Sequence, residues 1–296
     1  MKKQGLLIVN HFLNSAKFRE LADFLMNAAK KHDIALTLRD NAELLFDLAS
    51  GKAHEALPEA DFGIFWDKDV MLGRLLEERG LRLFNSSSAV ALCDNKSLTH
   101  QALSGKLPMP RTVCAPMSFK GVGYTDAAFI DRIEDYLSYP CVIKECCGSF
   151  GRQVYFIHSR ADAEALLAHM DGTPLIFQEF VKSSIGRDLR INVVGGEVKA
   201  AMLRANPHDF RANITNGGTA SRYIPNAEQC EMALNACRLL GVEFAGVDLL
   251  FGKGGSPLLC EVNSNAHFKS ILDCTGVNLA DALLEYIDRE IYGARA

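Results

Sequence analysis

The chain has 296 residues, 48% hydrophobic and 23% charged, a globular composition that excludes disordered, collagen-like and low-complexity classes. At roughly 150 residues per domain, this length suggests about two domains. Lysine plus arginine number 32 and aspartate plus glutamate 36, so the formal net charge of −4 lacks the footprint of a nucleic-acid binder.

Met1-Lys2-Lys3 imitates the start of a signal peptide, but only Leu6-Leu7-Ile8-Val9 follows before Asn10. A signal core needs about 7–15 apolar residues, so residues 5–9 read as a first strand. Apolar residues at helical spacing (Phe18, Leu21, Leu25, Ala28, Ala29) predict a helix over 16–31. Strands are expected at 34–38, 62–66 and 81–84, with a helix near 70–79. Short strands alternating with helices imply βαβ units and a parallel sheet. The polar cluster 85–88 is suited to capping a following helix.

The pattern then changes. Leu107-Pro108-Met109-Pro110 marks a loop, and strands at 141–144 and 153–157 flank the turn Gly148-Ser149-Phe150-Gly151. A helix over 161–170 and a strand over 175–181 come next. Strands at 189–194 and 197–203 are joined by Gly195-Gly196, a hairpin signal. A helix over 227–240, strands over 245–251 and 258–263, and a final helix over 278–292 complete the chain. This part reads as α+β with antiparallel pairs. No uncharged apolar run approaches the ~18 residues of a membrane span. The nine cysteines, odd in number and scattered, fit reduced thiols in a cytoplasmic protein. Cys141, Cys146 and Cys147 lack a second pair at zinc-finger spacing.

Three groups of residues carry chemistry. Asp248 sits among apolar neighbours, while Glu261 and Asn263 lie two apart on the next strand and share a face. Two carboxylates and an amide oxygen suit Mg²⁺; the alternative is that a buried arginine or lysine neutralises Asp248. Lys144 ends a strand just before the Gly148–Gly151 turn, whose backbone could approach phosphate oxygens. The turn is not a P-loop, and a solvated surface hairpin is the alternative. Arg187, Asp188, Arg190, Arg204, Arg211 and Asn213 form a row of polar groups, either a solvated face or forks for an anionic ligand.

In order, the motifs resemble the ATP-grasp superfamily, and within it the RimK-like carboxylate–amine ligases. They are Asp94-Asn95-Lys96, Pro110-Arg111-Thr112, Tyr139-Pro140-Cys141-Val142-Ile143-Lys144, Phe177-Gln178-Glu179-Phe180-Val181 and Gly186-Arg187-Asp188-Leu189-Arg190. Asp209-Phe210-Arg211-Ala212-Asn213, Asn216-Gly217-Gly218, Ala245-Gly246-Val247-Asp248-Leu249, Glu261-Val262-Asn263 and Thr275-Gly276-Val277-Asn278-Leu279 follow. The resemblance covers about two-thirds of the chain. It implies an ATP-grasp fold behind a Rossmann-like parallel-sheet domain: an N-terminal domain over 1–93, a central subdomain with a glycine-rich lid over 94–184, and a C-terminal subdomain over 185–296.

What the resemblance implies for function is ATP-dependent ligation of a carboxylate to an amine through an acyl phosphate, with Mg²⁺ or Mn²⁺ as the ion. Lys96 and Lys144 would contact ATP phosphates, Glu179, Phe180 and Val181 would form the hinge that bonds adenine through backbone groups, Asp188 would hold the ribose, and Gly148, Gly151, Gln178 and Arg190 would also line the ATP site. Arg211 and Asn213 would reach the phosphates or the acyl phosphate, Arg204 the transferred group or the substrate carboxylate, and Asp248, Glu261 and Asn263 would hold the metal. Replacing Asp248 or Glu261 by alanine should abolish turnover in a folded protein. The substrates would be small-molecule or peptide carboxylates and amines, without nucleic acid or membrane; relatives are often dimers or tetramers, which implies a homo-oligomer. The chain departs from the family pattern at Glu145-Cys146-Cys147 and at Ser264-Asn265-Ala266-His267-Phe268, leaving the amine donor open and giving His267 either a substrate role or a capping role. An ATP-grasp kinase and a non-catalytic ATP-binding module are the competing readings; product analysis separates them.

Overall fold

The computed structural model describes residues 3–148 and 151–293; Met1, Lys2 and the turn residues Ser149 and Phe150 lie outside them. Its first layer is an all-parallel sheet of β1 (Lys3–Val9), β2 (Ile34–Asp40), β3 (Phe62–Trp66) and β4 (Leu83–Phe84), in the order β2-β1-β3-β4. β3 is buried along its whole length, as expected for a parallel strand covered on both faces. Helix α1 (Ala16–Lys31) turns Leu21, Leu25, Ala28 and Ala29 onto this sheet. Full burial of each leucine is worth about 1.5–3 kcal/mol.

Helix α2 (Val70–Glu77) precedes β4, and two short helices follow, α3 (Ser87–Asp94) and α4 (Lys96–Leu103). Sequence reading placed a cap before α3 but not the helices themselves. Ser86 accepts from the Ala89 amide and Asn95 from the Ser97 and Leu98 amides, so two adjacent caps split one apolar stretch in two.

A second, antiparallel sheet contains β5 (Thr112–Cys114), β6 (Cys141–Glu145), β7 (Val154–Ile157) and β8 (Leu175–Glu179), ordered β5-β8-β6-β7. Helices α5 (Ile130–Glu134) and α6 (Arg160–Leu167) enclose its core, where Ile143, Phe177 and Ile130 are fully buried.

The third sheet has five antiparallel strands: β9 (Arg187–Val194), β10 (Glu197–Ala205), β11 (Thr219–Arg222), β12 (Phe244–Phe251) and β13 (Pro257–Asn263), ordered β11-β10-β9-β12-β13. The β9–β10 turn is Gly195-Gly196 with φ of +59° and +75°, a conformation that only glycine adopts without strain. Helix α7 (Ala227–Leu240) covers one face of this sheet, bounded by an Asn226–Gln229 capping box and a left-handed Gly241. Helices α8 (Lys269–Thr275) and α9 (Leu279–Tyr292) follow.

The layers share a core. α9 packs on α1, so Leu283, Leu284 and Ile287 join Leu21 and Leu25 in one cluster. Trp66 at the end of β3 stacks on Phe244 of β12, with ring centroids 5.3 Å apart. Fully buried Asn85 donates to the Phe244 carbonyl at 2.8 Å and the Ser264 carbonyl at 3.1 Å, and accepts from the amides of Glu243 and Phe244. All four of its bonds cross from the first layer to the third.

Candidate active site

The five-stranded sheet turns alternating charges to one face. Asp188 and Arg190 are two apart on β9 and so project together. Register places Arg204 of β10 opposite Asp188, and Asp248 of β12 opposite Arg190. Arg204 donates from Nε and a terminal nitrogen to the two Asp188 oxygens at 2.6 and 2.7 Å. Arg190 grips Asp248 in the same bidentate way, and Arg204 also reaches Asp248 Oδ2 at 3.0 Å. Arg204 and Asp248 are only 4% and 5% exposed, depths at which an unpaired charge would be strongly destabilising. Burial pushes the Asp248 carboxyl up, but Arg190 and Arg204 outweigh it and hold the group below the usual carboxylate range. Gly246 makes this approach feasible: a Cβ there would lie 2.9 Å from Arg190 Cδ and 2.6 Å from Ala266 Cβ.

Both alternatives for Asp248 therefore meet at one position. It is neutralised by arginines, and it also lies opposite Glu261. Asn263 Nδ2 is 3.4 Å from both the Gly246 carbonyl and Asp248 Oδ2, while its Oδ1 takes no hydrogen bond among the described residues. The set of two carboxylates and one amide oxygen suits a hard divalent cation such as Mg²⁺. Like charges directly opposite on paired strands repel, and a cation between them would relieve that. Among the described residues no three His, Cys, Asp or Glu side chains could hold a metal, so a third protein donor to an ion here would be the Asn263 amide. Asp188 and Arg204 are paired with each other along the wall of the cleft.

Across the cleft lies the four-stranded sheet. Lys144 of β6 is 8% exposed, its Nζ 3.7 Å from Cys260 Sγ. Lys96, the first residue of α4, lies 3.8 Å from Glu261 Oε1 and 3.5 Å from the Gly148 carbonyl. The Lys96 amide donates to the Cys146 carbonyl at 2.8 Å, and Asn95 forms a β-bridge with Cys147. The Cys146-Cys147 segment thus positions Lys96 through its backbone. Gly151 is tied to the third sheet's side of the cleft: Arg211 donates to its carbonyl at 2.6 Å and also grips Asp209. Gly151 has φ of +70°, and a Cβ there would press on Asn213 Oδ1 at 2.8 Å. Glu179 turns its carboxylate to Arg111, accepting from its amide at 2.9 Å and its Nε at 2.8 Å. Phe180 packs on Phe156 with ring centroids 4.5 Å apart, and Phe156 stacks on Phe210.

Every residue that the sequence nominated for the site borders a single cleft of about 260 Å³, Val181 and Gln178 included. The cleft also takes in Lys17, Phe18, Trp66, Lys68 and Cys260, which sequence reasoning missed, and Asn265 of the segment that departs from the family pattern. One signal could have found Trp66 and Lys68: they end and follow a parallel strand, where ligands of open α/β sheets bind. His267 borders the cleft and is held between α1 and the start of α8. Its Nε2 donates to the Lys17 carbonyl at 3.1 Å and its Nδ1 accepts from the Lys269 amide at 3.4 Å. Burial lowers its pKa, so the ring is a neutral strut between α1 and α8.

Residues 93–287 match the family model of the RimK-like ATP-grasp domain. The uncharacterized protein MG012 of Mycoplasma genitalium is 30% identical over 89% of this chain and 92% of its own length. N-acetylaspartylglutamate synthase A of Homo sapiens is 33% identical over 74% of this chain, which spans only 56% of that protein. A probable alpha-L-glutamate ligase 2 of Shewanella denitrificans is 32% identical over 74% of this chain and 71% of its own. Among solved structures, the ATP-grasp ligase PsnB complexed with its minimal precursor superposes with a TM-score of 0.72 over 98% of this chain and 100% of that one, at 15% identity. D-alanine–D-alanine ligase from Bacillus anthracis complexed with ATP gives 0.73 over 100% and 99%, at 14% identity. These likenesses show the ATP-grasp fold.

Proposed function

This chain belongs to the RimK-like ATP-grasp family and is an ATP-dependent ligase, and from that premise we propose that it joins a carboxylate to an amine through an acyl phosphate. The observation that carries the reading is the convergence on one cleft of two lysines, a carboxylate–carboxylate–amide set and a closed arginine–aspartate lattice. A substrate carboxylate oxygen attacks the γ-phosphorus of ATP, the β–γ bridging bond breaks, and ADP departs. The amine nitrogen then attacks the acyl carbon, loses a proton, and expels phosphate. No protein nucleophile is required, so the side chains contribute position and charge.

In this reading Lys144 and Lys96 receive the phosphates and Arg211 and Asn213 the transferred group. Gln178 through Val181 border the adenine, and Asp188 borders the ribose. Asp248, Glu261 and Asn263 would hold Mg²⁺, which supplies charge neutralisation on the phosphates when bound. Arg190 and Arg204 hold Asp248 ionised and oriented. Gly148 and Gly151 flank the segment that would exclude water from the acyl phosphate. Glutamate is the first amine to test, because relatives carry the names of glutamate ligase and N-acetylaspartylglutamate synthase. All nine cysteines are free thiols, in keeping with a reducing, cytoplasmic setting.

The test is incubation of the protein with ATP, Mg²⁺, and panels of carboxylates and amines, with products read by mass spectrometry. Amide product with stoichiometric ADP and phosphate supports the ligase. A phosphorylated product without amide would make the chain a kinase of the same fold, and tight ATP binding without turnover for any pair would make it a binding module.

A further inference from the structure

Gln178 of β8 is 2% exposed and borders the cleft on the face that carries Val142 and Lys144. A carboxamide can point either its oxygen or its nitrogen at a ligand, and the surrounding network decides which. Here Thr112 Oγ1 donates its only proton to the Pro110 carbonyl at 2.9 Å. What the hydroxyl offers Gln178, 2.9 Å away, is therefore a lone pair, so the nitrogen of the amide must face it. The second proton of that nitrogen goes to His100 Nε2 at 3.3 Å. His100 can accept because it is neutral: burial and the nearby Lys144 and Lys96 lower its pKa to about 4. Both amide protons are thereby committed away from the cleft. Gln178 Oε1 takes no hydrogen bond from the described residues and is not sealed from solvent.

We infer that His100 and Thr112 are positioning residues that fix Gln178 with its oxygen toward the cleft, making it an acceptor that selects a 6-amino purine over a 6-oxo purine. The inference rests on the reading of this cleft as the ATP site. A site that presents only an acceptor pairs with the amino group of adenine and meets the carbonyl of hypoxanthine or guanine with a lone pair. A site built to bond a donor rejects the analogue that lacks it, because its own buried polar group is left unpaired. Sequence order alone gave no sign of this. His100 lies within α4, four residues after Lys96, and reaches Gln178 only because α4 packs against β8.

Inosine triphosphate carries a 6-oxo group and a protonated N1 in place of the 6-amino group and bare N1 of ATP, which makes it the probe. Dissociation constants of ATP and inosine triphosphate, each with Mg²⁺, are measured by calorimetry for the wild type, His100→Leu, Thr112→Val, the double variant and Thr112→Ser. The wild type prefers ATP; the preference falls about fivefold in each single variant and about tenfold or more in the double, and Thr112→Ser, which keeps the hydroxyl, retains it. A merely structural role would weaken both nucleotides together and leave the ratio unchanged. An unchanged ratio in the double variant, or a wild type indifferent to the two nucleotides, overturns the inference. Failure of the wild type to bind either nucleotide overturns the reading of the cleft on which it rests.

Discussion

On the five-stranded wall of the cleft, Asp188, Arg190, Arg204 and Asp248 direct their hydrogen bonds at one another. The four-stranded wall carries Val142, Val154, Phe180 and one cation, Lys144, beside a thiol. The difference shows two ways to receive one ligand. A wall whose charges are already ordered presents a fixed field and undergoes little reorganisation when charge arrives. A wall of apolar side chains and glycines accepts a flat ring by contact alone and tolerates movement.

The sharpest way to break this comparison is Asp248→Ala. It leaves Arg190 without its partner and Arg204 with Asp188 alone, and the cost should be about 3–5 kcal/mol of stability, read by chemical denaturation. The sequence reading expects turnover to be lost in a folded protein; the double arginine clasp adds a lowered midpoint to that, and an unaltered midpoint would mean the lattice is not rigid. Glu261→Ala is the contrasting probe. Glu261 is half-exposed and 3.8 Å from its nearest cation, so stability should move by less than about 1 kcal/mol. ADP release should nonetheless fall on the order of a hundredfold or more, as the loss of metal charge neutralisation dictates.

On the opposite wall, Lys144→Ala should weaken ATP binding by about 10- to 100-fold, the worth of one hydrogen bond to a charged group, without loss of fold. An unchanged affinity in calorimetry would remove Lys144 from the site. The pH response is smaller. His100 titrates near 4 in the fold, below the ~6.5 of an unfolded chain. Between those values the unfolded chain binds the proton first, so acidification from pH 6.5 toward 4 removes stability that is fully present above pH 6.5. The wild type should lose on the order of 1–3 kcal/mol more than His100→Leu over that window, in paired denaturation curves. The smallest effect belongs to Glu179→Gln. Its carboxylate faces exposed Arg111 rather than the cleft, so stability should change by about 1 kcal/mol or less and ATP affinity by about twofold at most.

How much of this could be read from the chain depended on sequence distance. β1, α1, β3, α7 and the Gly195-Gly196 hairpin follow from periodicity and punctuation that lie within one window. Glu261 and Asn263 were legible because two positions along a strand share a face. The lattice was half legible: Asp188 and Arg190 were seen together, but the partner of each is on another strand, and only register reveals that Arg204 meets Asp188 and Arg190 meets Asp248. α3 and α4 were obscured because one apolar stretch carries two caps. Trp66, Lys68 and Lys17 reach the cleft from the first layer, through packing of whole layers that no local pattern records.

The pairing of α1 with α9 bears on how the molecule is made. The stripe of Leu21 and Leu25 emerges from the ribosome early, whereas Leu283, Leu284 and Ile287 emerge more than 250 residues later. At about 5–20 residues per second, the α9 part of that stripe's cover arrives on the order of tens of seconds after the parallel sheet that Leu21 and Leu25 also pack on. In that interval the flank of α1 that faces α9 stays uncovered, and chaperones that bind apolar segments can engage it there.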